Sequence, residues 1–368
     1  MGYAVVVGGG IAGLASAASL QRAGWRVLVL ESAPELGEVG AGVVVTVNGM
    51  RALAAIGADE QVRRNGYALQ PAGTRSWDGK WLLRAPDGDD AMSRMVGIHR
   101  QRLHRALVEA ADGVELITGA RVTRVDPATG RVEWGTESVT ADLVVGADGI
   151  RSVTRAALFP NQLKYSGYSC WRAVVADTSV GDRFAMTWGP NAESGAMRIS
   201  PTEVYWYGYV AMASGVRFPD EPAAAREYFA DWVDDLADAA REVIRHDVWT
   251  LADPLPRYTG GKVVLVGDAA HPMLPTLGQG ANSALEDGVS VGMLSPEQYD
   301  AQRYRRTQQL VRRSDQMARV GAHLGPRWQR LRNALLRVVP PRPAQRSGTK
   351  LFDWTPPGSF GAQAVDRG

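Results

Sequence analysis

The chain has 368 residues, enough for two domains and a sizeable core. Its hydrophobic fraction of 45% and charged fraction of 22% are those of an ordinary globular protein, and a net charge of +2 makes no case for nucleic acid or a membrane surface as partner. The single cysteine, Cys170, excludes an intrachain disulfide, and no apolar run is long enough to cross a bilayer.

Residues 3–7, "YAVVV", form a continuous apolar run and predict a buried parallel strand. A chain that starts on a strand without a signal-peptide pattern, and carries one cysteine, is expected in the cytoplasm. "GGGIAGLASAASLQRAG" follows as a small-residue helix stopped by Gly24, and "WRVLVLE" is a second strand ending at Glu31. Together they make a βαβ unit. "RLHRALVEAA" predicts another helix, and short strands lead through "DLVVGADG" to Asp148. From about residue 166 to 258 the texture changes to alternating strands and tight turns. Within it, "RFAMTWGPNAESGAMRISPTEVYWYGYVAM" predicts three antiparallel strands turning at Gly189-Pro190-Asn191 and Ser200-Pro201. An acidic helix is expected over roughly 221–245. "KVVLVGD" then repeats the buried-strand pattern and ends at Asp268.

The fold class expected is α/β: a Rossmann-like domain with an inserted antiparallel-sheet substrate domain and a C-terminal helical segment. The boundaries read as 1–72, 95–165 and 259–295 for the nucleotide-binding domain, and 73–94 and 166–258 for the sheet domain. Helices follow over 296–345, and 346–368 is expected to be a loosely held tail. Residues 301–350 hold twelve arginines and one lysine against one acid, Asp315. Leucines at helical spacing favour a solvated helix face over a platform for nucleic acid or membrane, with arginines pairing acids such as those of 221–245.

Gly8, Gly10 and Gly13 match G-x-G-x-x-G between a strand and a helix. The first glycine permits the turn, the second admits a pyrophosphate to the backbone, and the third lets helix pack on strand. The pyrophosphate then sits at the helix N-terminus, and Glu31 stands where an acid bonds the adenosine ribose. This defines a dinucleotide site and leaves NAD and FAD open. No cluster of His, Cys and carboxylates has metal-ligand spacing, so no metal is expected. His271, beside Asp268, titrates near neutrality and could serve as a proton shuttle, and Cys170 reads as a small buried residue.

Two later segments, "GADGIRSVTR" around Asp148 and "GDAAHPMLPTLGQGAN" around Asp268, join the glycine motif in order. The three together resemble the fingerprints of class A flavoprotein monooxygenases, the para-hydroxybenzoate hydroxylase type. "GYSCWRAVV", with Trp171-Arg172, and "EVYWYGYV" resemble the salicylate- and urate-hydroxylase branch. The resemblance implies non-covalent FAD, with NADH or NADPH as co-substrate and no second Rossmann domain for it. It implies that Asp268 bonds the ribityl chain and that the backbone of Gly278, Gln279, Gly280, Ala281 and Asn282 lines the flavin ring. Pro275 would lie near the reactive C4a carbon, Arg100 on the ribityl–phosphate side, and Val122 against adenine. Asp148 would serve both FAD and the passage of NAD(P)H, and His271 would be a structural loop residue. Ala12, Ser32 and Val44 complete the cofactor-binding set.

By the same resemblance, the Tyr205/Tyr207 face of strand 204–210 meets substrate, since alternation puts Val204, Trp206 and Val210 on the other. Trp188, Arg198 and Pro275 join Tyr205 and Tyr207 as substrate candidates. Trp188 has core filling as its rival role, and Arg198 a surface position. In "AMRIS", Met197 and Ile199 are assigned to the core, which turns Arg198 toward solvent or the pocket. The implied activity is hydroxylation or epoxidation of an aromatic or other electron-rich small molecule with NAD(P)H and O2, through a flavin C4a-hydroperoxide. No side chain is needed as the oxidant. The expected partners are therefore small molecules, with no nucleic acid or membrane, and the chain acts as a monomer or homodimer. A flavin dehydrogenase of the same fold and a flavin-bound interaction protein are the alternatives; the W-x-W-x-I-P signature of flavin halogenases is absent.

Overall fold

In the computed structural model, residues 2–37, 40–85, 95–177, 179–232, 240, 242–338 and 350–358 are described. The opening apolar run is a strand, β1 (Tyr3–Val7), followed by α1 (Ile11–Arg22) and β2 (Arg26–Leu30). Gly24 ends the helix with φ +82°, a left-handed conformation that glycine adopts without steric cost. β3 (Gly42–Val45), α2 (Val47–Ala55) and α3 (Asp59–Asn65) come next, then β4 (Tyr67–Ser76), β5 (Trp81–Arg84), β6 (Met95–His99) and α4 (Arg100–Ala110). Four short strands follow: β7 (Glu115–Ile117), β8 (Val122–Asp126), β9 (Arg131–Trp134) and β10 (Glu137–Thr140).

β11 (Leu143–Gly146) leads through α5 (Val153–Leu158) into the long β12 (Leu163–Ala176). The three strands expected around the two turns are β13 (Arg183–Gly189), β14 (Ala192–Arg198) and β15 (Glu203–Ala211). The acidic helix expected over 221–245 is shorter: α6 spans Glu221–Phe229, and β16 (Ile244–Leu251) occupies the end of that range. Residues 233–239 and 241 lie outside the described residues. β17 (Thr259–Gly260), β18 (Val263–Leu265), α7 (Gly280–Met293), α8 (Pro296–Val320) and α9 (Pro326–Val338) complete the chain order.

Two main sheets result. One has the order β17-β18-β11-β1-β2-β7, parallel from β18 to β7. Its central strands are apolar along their whole length because helices or loops cover both faces. The other runs β16-β12-β15-β14-β13-β4-β6-β3, with β5 beside β4. β3, β6 and the start of β4 come from segments assigned by sequence to the nucleotide-binding domain. The domain boundary drawn from sequence therefore runs through this sheet.

α1 and α7 pack at very close range. A Cβ on Gly288 would lie 2.6 Å from the Ala15 Cβ, and one on Gly292 would lie 2.2 Å from the Ser19 Oγ. Glycines in a helix interior cost about 1 kcal/mol each relative to alanine. Here they let α7 lie against α1, where the Ser19 hydroxyl donates to the Val289 carbonyl at 2.8 Å. The tail expected to be loose is partly held: Arg51 donates to the carbonyl oxygens of Phe352 and Trp354, and Arg306 to that of Leu351. Residues 339–349 and 359–368, part of the helical segment and tail read from sequence, lie outside the described residues, as do 86–94 of the sheet domain.

Candidate active site

β18, β11, β1 and β2 are successive parallel strands, so the loops after them meet at one edge of the sheet. Those loops hold Asp268, Asp148, the glycine turn and Glu31. This is the crevice at the carboxyl ends of the strands where ligands of open α/β sheets bind. Gly8 has φ +105°, and a Cβ there would lie 2.4 Å from the Ala147 carbonyl oxygen. A Cβ on Gly13 would come to 1.9 Å of the Gly8 oxygen. Gly10 caps α1, whose first turn, with Ala12 in it, contains no acidic residue to offset its positive end.

The Glu31 carboxylate is fixed beside this turn. It accepts from the backbone N–H of Gly9 at 2.6 Å and of Ala33 at 2.7 Å, and from the Ser32 hydroxyl at 3.1 Å. The Ala120 N–H donates to the Glu31 carbonyl, bringing the chain before Val122 alongside. His104, which no sequence signal singled out, lies with its Nε2 2.8 Å from the Gly9 carbonyl oxygen.

Asp148 accepts from the Ser152 hydroxyl at 2.5 Å and from the Thr154 N–H and hydroxyl at 3.0 and 3.1 Å. Its side chain thus holds its own loop. Arg155, buried, donates to the carbonyls of Ile150 and Ala269, which ties the Asp148 loop to the Asp268 loop. Burial lowers the Arg155 pKa, while Asp148 and Asp268 act to raise it. Asp268 itself is exposed at the mouth of the crevice.

The Gly-Gln-Gly segment forms a rigid cradle. Pro275–Leu277 makes one 3-10 turn, and Gly278 reverses the chain at φ +60° before α7 starts at Gly280. The Asn282 side chain donates to the carbonyls of Val44 and Gly278 and accepts from the Thr46 N–H. Gln279 donates to the Thr46 hydroxyl and accepts from Asn48. Pro275 is exposed, and the next residue, Thr276, donates to the Ser314 carbonyl on α8. Gly280, Ala281 and Asn282 begin α7, whose first turn also lacks an acid. Two helix ends able to receive negative charge, and a glycine turn packed too closely for side chains at Gly8 and Gly13, fit a flavin dinucleotide.

Beneath the cradle lies a buried charge network. Asp287 accepts from the Gly267 N–H and from Arg303 Nε at 2.7 Å, and its Oδ2 is 2.5 Å from His271 Nε2. Arg303 and Arg306 both pair with Glu286 at 2.6 Å. Burial alone would raise the Asp287 pKa, but His271 and Arg303 outweigh it and hold the carboxyl down at about 2. His271 is accordingly an anchor of the loop, and Arg303 and Arg306 pair with acids of α7.

The sheet opposite presents one face to this crevice. Tyr205 packs directly on Gly42 of β3, where a Cβ would fall 2.3 Å from its ring, and Val44 of β3 meets Gly278. Register places Met197, Tyr205 and Val174 in one row of that face. Gly195, Tyr207 and Arg172 form the next, and Glu193, Tyr209 and Cys170 a third. The Tyr205 and Tyr207 rings stack with centroids 6.1 Å apart. The other face, with Trp171 and Trp206, is filled by Phe229 of α6.

Two substrate candidates fall elsewhere. Met197 and Ile199 do occupy the side opposite Arg198, but that side is the one carrying Tyr205. Arg198 therefore points away, donating to the carbonyls of Val180 and Pro201 and lying over the Tyr67 ring. Both sides of this sheet are covered, so apolarity alone could not name the inner one. Trp188 lies at the far end of the Tyr207 face, buried beneath Gly321 and the Arg332 guanidinium, and fills space there.

Sequence reasoning also left Arg172 and Glu193 out of the site. A turn centred on Pro201 pairs Met197 with Tyr205, four residues to either side. One at Pro190-Asn191 pairs Trp188 with Glu193. The turn at Pro190-Asn191 was the signal that could have found Glu193; Arg172 reaches Tyr207 through the β12–β15 pairing, which no turn position marks. Arg172 stands across from Tyr207, its buried Nε has no hydrogen-bond partner, and its charge reaches Tyr205 and Asp268. Burial, the larger effect, raises the Tyr205 pKa to about 12 against the pull of Arg172.

A crevice shaped for a flavin dinucleotide and faced by an aromatic-lined sheet defines a flavoprotein oxidoreductase. Residues 3–314 match the family described as FAD binding domain, and the chain belongs to it. It is 32% identical over 345 residues to aurachin C monooxygenase/isomerase of Stigmatella aurantiaca, covering 86% of this chain and 89% of that one. It is 34% identical over 356 residues to 3-amino-4-hydroxybenzoate 2-monooxygenase of Streptomyces cremeus, covering 85% and 86%. Among solved structures, a variant of Klebsiella pneumoniae HpxO complexed with FAD superposes with a TM-score of 0.86 at 24% identity, covering 96% of this chain and 98% of that one, a likeness of fold. The chain is an FAD-dependent monooxygenase of the class A type, an aromatic hydroxylase drawing on NAD(P)H and O2. Among the described residues no helix is long and apolar enough to cross a membrane, and no cluster of three or more His, Cys, Asp or Glu side chains could hold a metal ion.

Proposed function

We propose that the aromatic substrate of this hydroxylase lies on the Tyr205/Tyr207 face, between it and the Gly278–Asn282 cradle. The observation that supports this most is the chain of contact from Tyr205 through Gly42 and Val44 to Gly278, which sets that face against the cradle. In this reading Gly8, Gly10, Ala12 and Gly13 receive the pyrophosphate, and Glu31 and Ser32 flank the ribose. Val122 backs the adenine. Arg100, Asp148 and Asp268 hold the middle of the cofactor, and Val44 and Gly278 to Asn282 hold the ring. FAD, when bound, supplies the redox chemistry with NAD(P)H and O2.

The protein's own part is to bind, orient and exclude water. Tyr205, Tyr207, Met197 and Phe184 give an apolar aromatic bed, and Pro275 edges it from the cradle. Arg172 and Arg100 supply positive charge near the ring. The antiparallel sheet that carries β12 to β16 works as the substrate domain over the FAD domain. Action in the cytoplasm accords with the one cysteine, Cys170, which is free and buried, and monomer or homodimer is part of the same proposal.

The test is a screen of aromatic compounds for faster NADH or NADPH oxidation, with oxygen uptake and the product mass followed together. A product heavier by one oxygen atom is expected. Turnover of NAD(P)H without incorporated oxygen for every compound would favour the dehydrogenase reading.

A further inference from the structure

Residues 350–358 form a strap that docks against α2 and α8. It opens with one 3-10 turn, Lys350–Phe352, and its Trp354 packs on the core cluster that holds β1, β2 and β11. The protein grips the strap by its backbone. Arg51 Nη1 donates to the carbonyl oxygens of Phe352 and Trp354 at 3.4 and 3.1 Å, and Arg306 Nη2 to that of Leu351 at 2.8 Å. Three carbonyls between Leu351 and Trp354 thus meet two guanidinium groups, and each of these hydrogen bonds has a charged donor.

Both arginines belong to elements that reach the cradle. Arg51 stands one turn on from Asn48 in α2. The Asn48 amide donates to the Gln279 side chain at 2.9 Å and to Glu286 Oε1 at 2.6 Å. Arg306 takes the same Glu286 in a fork, Nε to Oε2 at 2.6 Å and Nη2 to Oε1 at 2.7 Å. A continuous line of hydrogen bonds therefore runs from Leu351 through Arg306, Glu286 and Asn48 to Gln279. Gln279 and Glu286 are fully buried, and Gln279 stands between Gly278 and Gly280 at the head of α7. The Arg306 side chain is 19% exposed, so this fork sits at the edge of the protein, where water competes for the guanidinium. The Leu351 carbonyl is a further acceptor that fixes the guanidinium plane there.

We propose that residues 350–354, through Arg51 and Arg306, position the flavin ring: they set the Gly278–Asn282 cradle and so decide how tightly the flavin half of FAD is held. The inference rests on the cofactor placement given above. The adenosine half belongs to the glycine turn and Glu31, whose carboxylate is held by Gly9, Ser32 and Ala33 instead. Loss of the strap therefore loosens the flavin end and spares the adenosine end.

The test compares two ligands on the full-length apoprotein: FAD, and ADP, which has the adenosine half and no flavin. Calorimetric titration gives both affinities for wild type, Arg51→Met and Trp354→Ala. Each variant is expected to weaken FAD about tenfold, the worth of one hydrogen bond with a charged donor, and to leave ADP within about twofold. The absorbance band of the bound flavin at saturation is expected to move in both, because the ring sits differently against the cradle. Arg51→Lys, which keeps a charged donor, is expected to recover most of the FAD affinity. Arg51→Met decides alone should Trp354→Ala fail to fold, since Arg51 is only partly buried. The flavin band decides alone should ADP bind too weakly to measure. Equal weakening of FAD and ADP would reduce the strap to a support of the fold, and a flavin band at its wild-type position would sever it from the cradle. Either result overturns the proposal, as does unchanged FAD affinity. A wild-type chain that takes up no FAD would defeat the functional reading itself.

Discussion

Replacing Glu193 by glutamine should stabilise the folded protein by an amount that grows as pH rises from 5 to 8. The Glu193 carboxyl is raised from 4.5 to about 7 by burial, so the folded state binds this proton more tightly than the unfolded one. A raised folded pKa contributes stability that is complete below pH 4.5 and is lost as pH rises through 7. A shift of about 2.5 units at 1.36 kcal/mol per unit gives about 3 kcal/mol lost by pH 8. Glutamine resembles the protonated acid, since its oxygen can accept from Trp188 while its amide donates to the Tyr207 oxygen, the two groups that bond Glu193. The variant should exceed wild type by less than about 1 kcal/mol at pH 5 and by about 3 kcal/mol at pH 8. Urea denaturation of both proteins at pH 5, 6, 7 and 8, with FAD in excess, measures this as a widening gap in midpoint. Asp287 and other titrating groups are common to both chains and cancel in the difference. A gap that stays constant across these pH values would show that Glu193 does not titrate in this range, and would refute the argument.

Three further outcomes follow from the same geometry. Asp268→Ala should keep the fold and weaken FAD binding ten- to hundredfold, about 1.5–3 kcal/mol for a hydrogen bond involving a charged group, as measured by equilibrium titration of apoprotein. Arg303→Met strands two fully buried carboxylates, Glu286 and Asp287. It should cost about 3–5 kcal/mol of stability in denaturant titration, and an unchanged midpoint would mean that Arg306 and His271 suffice. Gly292→Val meets the Ser19 Oγ, 2.2 Å from the position of a Cβ, and should cost about 1–3 kcal/mol and loosen FAD by shifting α7, whose N-terminus forms the cradle.

The cofactor side of this protein was legible in the sequence because its signals are local. Gly13 is required by a backbone contact with Gly8, five residues earlier, Gly8 by its left-handed turn, and Asp148 and Asp268 each end a run of apolar residues that marks a buried strand. The substrate side was less legible because it depends on which side of a sheet faces inward. Alternation in "AMRIS" correctly separated Met197 from Arg198. Met197 and Ile199 do lie in a buried cluster, but α6 covers one face and the cofactor half covers the other, so burial could not say which side meets the site. Only the pairing of Met197 with Tyr205 across the Pro201 turn distinguishes them.

The C-terminal arginines show the same limit from another direction. As a run they read as one basic stripe, and composition treats Arg303, Arg306, Arg312 and Arg313 alike. The structure divides them by depth. Arg303 is 1% exposed between Glu286 and Asp287, and Arg306 reaches the same Glu286 from the edge. Both acids belong to the helix whose N-terminus forms the cradle, and Asp287 also accepts from the N–H of Gly267, the residue before Asp268. The arginines therefore brace the loop of Asp268 through two buried carboxylates. Sequence could supply the charges and their signs. It could not show that Glu286 and Asp287, adjacent in a helix, both turn inward, because helical spacing by itself would place one of two neighbours toward solvent. Burial of α8 against α7 decides it, with Arg303 supplying the counter-charge that allows both acids to be inside.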